Sequence, residues 1–438
     1  MTSTTARSPT ASAGALGFPE GFLWGAATSA HQVEGDNRAN DWWAFEQAGA
    51  LPFKSGEACR HYLLFEQDFD LAKAWGHNAH RFSIEWSRIE PRQGAWDLAA
   101  IDHYREVIEA LRTRGMEPVV TLHHFTNPAW FADAGGWLVR RNVDHFARYV
   151  DFVAGHLGDR VRWWLTINEP TVYAKNAFVA GNWPPCRGGD WTAAWRAMRN
   201  MGRAHRLAYD ILHRHRPDAL VGFSHSAPLV MPRQPARSID RIAAFLRDLF
   251  LNRVPVRLMT GRSGRRFDFF GLNYYCRTVV RWQPRGTAAL FGTDWVEDDQ
   301  GEPRAFSDIG WEIYPAGLER QLARFAQYGV PVLVTENGLA TTDEDLRLAF
   351  LRDHLRALAE AVADGIPIAG YLYWSLMDNF EWTSGTAPRF GLAATDFATQ
   401  ERTPRPAAVY FAEVCKANAL HEESSRACLS DREPLYSP

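Results

Sequence analysis

From the N-terminus onward the chain alternates short apolar runs with longer stretches in which apolar residues recur at helical spacing. The short runs are Phe22 to Ala27, Ala79 to Ile84, Glu117 to Leu122, Arg162 to Ile167, Leu220 to Ser224, Phe267 to Leu272, Val330 to Thr335 and Ile368 to Trp374. Their length and their β-branched and aromatic content predict strands. Ile101 to Thr113, Val143 to His156, Trp191 to His215, Gly317 to Tyr328 and Glu344 to Ala363 predict amphipathic helices. Strand and helix in alternation predict an α/β fold with a parallel sheet. Eight such strands predict that the sheet closes into a single (β/α)8 TIM barrel. An open doubly wound sheet is the competing topology. It often carries a Gly-rich phosphate turn after its first strand, and TSAHQVEG, which follows the first run here, is not one.

The ends of the chain lack this patterning. Residues 1–16 are rich in Ser, Thr, Ala and Gly, and the tail from Leu420 is polar and proline-bearing. Segments 1–16 and 420–438 are therefore expected to be disordered or loosely docked around one barrel domain at 17–419. Arg277 to Trp311 is expected to form a long loop after the sixth strand rather than another domain. The length of 438 residues fits this picture, since barrels grow by loop insertion while remaining one domain.

Composition narrows the function. A hydrophobic share of 46% beside 23% charged residues excludes disorder of the whole chain. A net charge of -3, with no dense Lys/Arg block, provides no general attraction for nucleic acid or anionic membrane, so the expected partner is a small neutral substrate. Cys59, Cys186, Cys276, Cys415 and Cys428 are scattered and lack metal-ligand spacing, which suggests a reducing compartment and no structural zinc. The opening segment lacks the apolar core of a signal peptide, and no run approaches the ~20 apolar residues of a membrane span, so a cytoplasmic location is expected. The 18 Trp matter because sugar rings stack their C–H faces on aromatic planes, although core packing is the commoner use of any one of them.

Barrel enzymes carry their chemistry at the C-terminal ends of the strands, and the residues found there are strongly polar. The first run leads into Ser29, His31 and Gln32, the second holds Arg81 with Glu85 beyond, and the third ends in His123 and His124. The fourth ends in Asn168 and Glu169, the sixth in Asn273, Tyr274 and Tyr275, and the seventh in Glu336. The eighth ends at Trp374, with Glu381 and Trp382 following. Carboxylates after strands four and seven would face each other across the barrel mouth, where glycoside hydrolysis needs an acid and a nucleophile on either side of the anomeric carbon. A gap of about 5–5.5 Å gives retention and about 6.5–9.5 Å inversion, and the sequence leaves both open. A single Glu after a strand more often serves to begin a helix, where the macrodipole favours it. Its company of Asn168, Tyr275 and Arg81 favours the chemical reading.

The strings FPEGFLWGAATSAHQVEG, HRFSIEWSRIEP, WWLTINEP, FFGLNYY, VTENG, YWSLMDNFEW and RFGL followed by RTPRP occur in this order. On them the chain resembles glycoside hydrolase family 1, the β-glucosidases and β-glycosidases, over nearly its whole folded length. The resemblance implies a (β/α)8 fold, hydrolysis of terminal β-D-glucosides with β-fucosides and β-galactosides as further substrates, retention of configuration, and no metal or organic cofactor. It implies that Glu169 is the acid/base and Glu336 the nucleophile, that Arg81 and Tyr275 contact the nucleophile, and that Asn168 meets the sugar 2-hydroxyl. Gln32, His124, Trp374, Glu381 and Trp382 resemble the glycone-binding set, with Gln32 and Glu381 each spanning two hydroxyls. The physics agrees with this division, because a nucleophile must be ionised, whereas an acid beside it in a dehydrated cleft has its pKa raised.

Two positions depart from the family pattern. Phe125 stands where Trp is usual, which removes an indole N–H near the 3-hydroxyl, and Thr386 stands where Tyr is usual. Glu381 stands where phospho-glycosidase relatives typically have Ser, so its carboxylate is expected to repel a 6-phosphate. Transglycosylation through the same intermediate remains an alternative. A sugar-binding pseudoenzyme is opposed by the presence of both glutamates.

Overall fold

The computed structural model describes residues 15–261, 266–296 and 304–421. All eight expected strands form: β1 (Leu23–Ala27), β2 (Ala79–Ser83), β3 (Glu117–Thr121), β4 (Trp163–Asn168), β5 (Leu220–Ser226), β6 (Phe270–Asn273), β7 (Val332–Asn337) and β8 (Ile368–Trp374). They pair in parallel and in chain order, and β8 returns to β1 to close the barrel. The five expected helices lie at Leu98–Thr113, Val143–Leu157, Trp191–His215, Pro315–Ala326 and Glu344–Ala363. Asp97, Asp190 and Asp343 each precede one of them and accept first-turn N–H groups that would otherwise lack partners.

Side chains alternate along a strand, so each strand serves two layers. Ala79, Val119, Leu165, Leu333 and Leu372 cluster as the apolar floor inside the barrel. Phe82, Val120, Trp164, Phe223, Val334 and Tyr371 belong to the larger core shared with the helices. Two residues further along the inner row, Arg81 follows Ala79, Thr121 follows Val119, and Thr335 follows Leu333. Arg81 bonds both Thr121 and the Thr335 carbonyl. The inner row thus turns from apolar to polar at the C-terminal ends, which is where a site can open without breaching the floor.

Three expectations require correction. β6 begins at Phe270 rather than Phe267, because the Asp268 carboxylate accepts the Val221 N–H at 2.8 Å in place of a ladder carbonyl. The boundaries at 17 and 419 cut through a two-stranded ribbon in which Ala15–Gly17 pairs with Ala419–His421. Asn418 locks this ribbon to the barrel by accepting from Trp24 Nε1 at 2.9 Å and donating to the Phe18 carbonyl at 3.0 Å. Residues 15, 16, 420 and 421 therefore belong to the folded body, and the rest of the expected loose ends lies outside the described residues. Of the span Arg277 to Trp311, residues 297–303 lie outside the described residues, and its first part is more than a loop, since Arg277–Arg281 pairs with Leu229–Pro232 and with Thr293–Asp294 in a small outer sheet. The β-branched run Thr278 to Val280 explains this, with Val280 buried against Ala243 and Ala244. Cys59, Cys186, Cys276 and Cys415 are free thiols, and Cys428 lies outside the described residues. Among the described residues no helix is long and apolar enough to cross a membrane.

Strands β7 and β8 converge just beyond Glu336. A Cβ added at Gly338 would stand 1.8 Å from the Trp374 carbonyl oxygen, so only glycine fits there. Gly338→Ala should cost about 3 kcal/mol through overpacking that rigid backbone cannot relieve. Urea unfolding checks this, and an unchanged midpoint would show that the two strand ends can separate.

Candidate active site

Every site residue expected from the sequence reaches the upper end of the barrel. Arg81 has no exposed surface, and its donors run in three directions. Nη1 donates to Glu336 Oε1 at 2.5 Å, Nη2 to Asn168 Oδ1 at 2.7 Å, and Nε to Thr121 Oγ1 at 3.0 Å. Tyr275 Oη donates to the other carboxylate oxygen of Glu336 at 2.6 Å. Burial, and then the charge of Glu336, push the Tyr275 phenol well above its usual range, so it stays a donor. Glu336 therefore has a charge-assisted donor on one oxygen and a phenol on the other, partners suited to a carboxylate anion.

Glu169 sits in a different environment. It caps a short helix, Pro170–Ala174, from a left-handed backbone with φ of 42°, a conformation unusual for a residue with a Cβ and a mark of functional positions. Its side chain is buried and accepts from Asn273 Nδ2 at 2.8 Å. Burial first, and then repulsion by Glu336, push the Glu169 carboxyl up to about 8, against weaker opposing effects of Asn273, Arg81 and Ser226. The sequence-based account named repulsion and dehydration together, and dehydration is the larger cause. A continuous chain joins the two carboxyls: Asn273 also donates to Asn168 Oδ1 at 3.3 Å, and Thr335 Oγ1 donates to Asn273 Oδ1 at 2.6 Å.

The remaining expected residues form an aromatic and polar wall. His124 lies parallel to Trp374 at 5.9 Å and to Trp382 at 6.3 Å. The Asn168 amide is oriented by Arg81, so its Nδ2 donates to His124 Nε2 at 3.3 Å. That leaves the proton on Nδ1, which is buried and has no partner among the described residues. Neutral His124 thus presents one free N–H donor, in keeping with burial and Arg81 holding its pKa well below the usual range. Glu381 accepts from Trp374 Nε1 at 3.1 Å, and Gln32 accepts from Ser29 Oγ at 2.7 Å and donates to Asn379 Oδ1 at 3.1 Å. Burial, and then Glu336, push Glu381 up to about 8, opposed by its bonds with Trp374 and Gln32.

Phe125, the first departure, is buried with φ of 72° and packs edge-on against Trp183 and Trp382. At the second, the segment past Trp382 turns back so that the Glu381 N–H reaches the Gly385 carbonyl at 2.6 Å, which fixes Glu381 before Thr386 is reached. Among the described residues no group of three or more His, Cys, Asp or Glu side chains is placed to hold a metal ion.

The sequence model described as Glycosyl hydrolase family 1 matches residues 15–256 and 259–420. The chain belongs to that family. Beta-glucosidase A of Thermotoga maritima is 32% identical to this family 1 enzyme over 92% of its chain and 99% of the relative. A beta-galactosidase of Pyrococcus woesei is also 32% identical, over 92% and 98%. The solved beta-glycosidase from Pyrococcus horikoshii superposes with a TM-score of 0.87 at 38% identity, covering 93% of this chain and 97% of that one.

Several supporting residues of the family 1 site escaped the sequence reading. Asn273 stood in view at a strand end but carried no assigned role, although it is the direct partner of Glu169. His31, Asn40 and Glu46 form a second buried set. Asn40 Oδ1 accepts from the Trp43 N–H, so its Nδ2 donates to His31 Nδ1 at 3.1 Å, and His31 Nε2 donates to Glu46 at 2.9 Å. The oriented imidazole stacks on Trp382 at 5.7 Å. Partners so remote in sequence leave no local signal.

The raised pKa of Glu169 has a consequence for stability. Its contribution is fully present below the ordinary value of 4.5 and is lost as pH rises toward about 8, where burying the ionised form becomes costly. The Tm of Glu169→Gln, measured against the native enzyme, should therefore improve progressively between those limits. A difference independent of pH would contradict the buried, raised carboxyl.

Proposed function

We propose that this family 1 enzyme hydrolyses terminal non-reducing β-D-glucosides, with β-fucosides and β-galactosides as further substrates, by double displacement with retention. The observation that carries this reading is the unequal environment of the two carboxyls. Glu336 is held by Arg81 and Tyr275, whereas Glu169 has an amide for its partner and a pKa raised to about 8. Such a pair supplies an anion and a neutral acid at the same pH.

In the first step a Glu336 oxygen bonds to the anomeric carbon while the glycosidic C–O bond breaks, and Glu169 transfers its proton to the departing oxygen. In the second, Glu169 takes a proton from water, the water oxygen bonds to the anomeric carbon, and the bond to Glu336 breaks. Both carboxyls return to their starting states. Asn168, oriented by Arg81, supports contact with the 2-hydroxyl. The free Nδ1–H of His124 and the Gln32 and Glu381 side chains support recognition of the other hydroxyls, and Trp374 and Trp382 provide apolar ring faces.

Names of the relatives, among them β-glucosidases and a β-galactosidase, support the β-glycoside class. We assign plain glycosides over 6-phosphorylated ones, on a basis that differs from simple repulsion. Burial raises the pKa of Glu381 to about 8, which favours its neutral form over the carboxylate. No Lys or Arg pairs with it among the described residues, so a phosphate dianion would enter without a counter-charge.

Nitrophenol release across aryl β-glucoside, β-fucoside, β-galactoside and 6-phospho-β-glucoside tests the reading. The glucoside should be turned over with a bell-shaped pH profile, and the phosphorylated substrate poorly. With an activated aryl leaving group, Glu169→Gln should lose the alkaline limb. An unaltered limb, or parity for the phosphorylated substrate, would refute the respective assignment.

A further inference from the structure

The helix Trp191–His215 leaves the rim of the barrel and carries a groove of about 400 Å3 on its outer side, lined by Trp191, Trp195, Arg196, Arg199, Asn200 and Arg203 together with Thr192. Arg196, Arg199 and Arg203 follow one another at intervals of three and four residues, which places them on one helix face over about 10 Å. Among the described residues no carboxylate lines the groove and none of these three arginines forms an ion pair. Asp190, which caps the same helix, is taken by Arg187. Elsewhere arginines such as Arg88, Arg114, Arg324 and Arg405 meet acidic partners.

The groove is also shaped. Asn200 donates to the Trp137 carbonyl at 2.8 Å, which orients its amide so that Oδ1 accepts from Arg203 at 2.6 Å. Trp191 is held by Phe291, parallel at 5.6 Å, and by Phe250. Trp195 is 43% exposed beside the guanidinium groups. Burial, and then the charges of Arg140 and Arg199, hold the Arg203 pKa below its usual value. Among the described residues these positive charges therefore lie close together without an acidic partner, next to a partly exposed indole.

We propose that this groove is a second carbohydrate-binding site, separate from the barrel mouth, which takes an acidic saccharide. Its carboxylates pair with Arg196, Arg199 and Arg203, and one sugar ring stacks on Trp195. Guanidinium forks match carboxylates in geometry and charge, and an exposed indole matches the C–H face of a pyranose. An acidic peptide would satisfy the arginines but would leave the indole without its matching face, so the saccharide is the better fit. The inference is independent of the chemistry assigned to Glu169 and Glu336.

Calorimetric titration of the full chain with α-1,4-linked trigalacturonate tests it, since this ligand offers no β-glycosidic bond to the barrel mouth. Saturable binding is expected, absent with neutral maltotriose and weakened when salt rises from about 20 to about 200 mM. Arg199→Ala and Trp195→Ala should each weaken it about tenfold, equivalent to about 1.4 kcal/mol. Both variants should keep native aryl glucoside turnover, which reports on their folding. Absence of binding, or binding unaffected by Arg199→Ala, would overturn the proposal. So would tighter binding of hexaglutamate with no effect of Trp195→Ala, which would mark an acidic-peptide surface instead.

Discussion

A guanidinium with no exposed surface must be neutralised and hydrogen-bonded where it lies, and Arg81 meets that demand by gripping Glu336, Asn168, Thr121 and the Thr335 carbonyl at once. Those partners come from β3, β4 and β7, so this one side chain ties together three of the strand ends that form the site. It also decides how charge is shared. Its direct ion pair goes to Glu336. Glu169 is left with an amide in a poorly solvated place, which favours the neutral acid. Removing Arg81 would leave a buried anion without its counter-ion, the costlier kind of change.

The aromatic wall depends on similar locking by remote groups. His31 and His124 both lie nearly parallel to Trp382, with ring centroids 5.7 and 6.3 Å away. Each imidazole has its tautomer set by an asparagine amide, Asn40 for His31 and Asn168 for His124. Flat groups held in this way fix the Trp382 indole in place, and in its proposed role it would lose less side-chain entropy on binding. Trp42 and Trp183 also pack against Trp382, tilted, at 4.7 and 5.5 Å. Phe125 completes this wall with carbon in place of a donor, which is how its departure from the family pattern expresses itself physically.

The barrel was legible in the sequence because its strands are buried on both faces and read as compact apolar runs, with bounds displaced by no more than a few residues. The candidate site residues stand out for a related reason: Arg81, Asn168, Glu169, Tyr275 and Glu336 are polar where an apolar run stops, a conflict that a functional role would explain. What escaped depends on contacts between distant segments. The ribbon of Ala15–Gly17 with Ala419–His421 joins the two ends of the chain, and nothing within either segment announces the other. The small sheet built on Arg277–Arg281 draws a partner from beyond β5. The Asn40, His31 and Glu46 set, like the bond from Asn273 to Glu169, exists only once loops have folded over the barrel.

On the proposed roles, Glu336 and Glu169 differ in the product each leaves when shortened, and the stereochemistry of azide rescue reads that difference directly. Glu336→Ala opens a space on the α face, so azide should displace the leaving group there and give an α-glycosyl azide. Glu169→Ala still forms the covalent intermediate from an activated aryl glucoside, and azide, which needs no base, should attack it from the β face and give a β-glycosyl azide. Proton NMR of the two products decides the matter. An α product from Glu336→Ala and a β product from Glu169→Ala are the predicted result, whereas exchanged anomers, or native hydrolysis by either variant, would contradict the proposed division of labour.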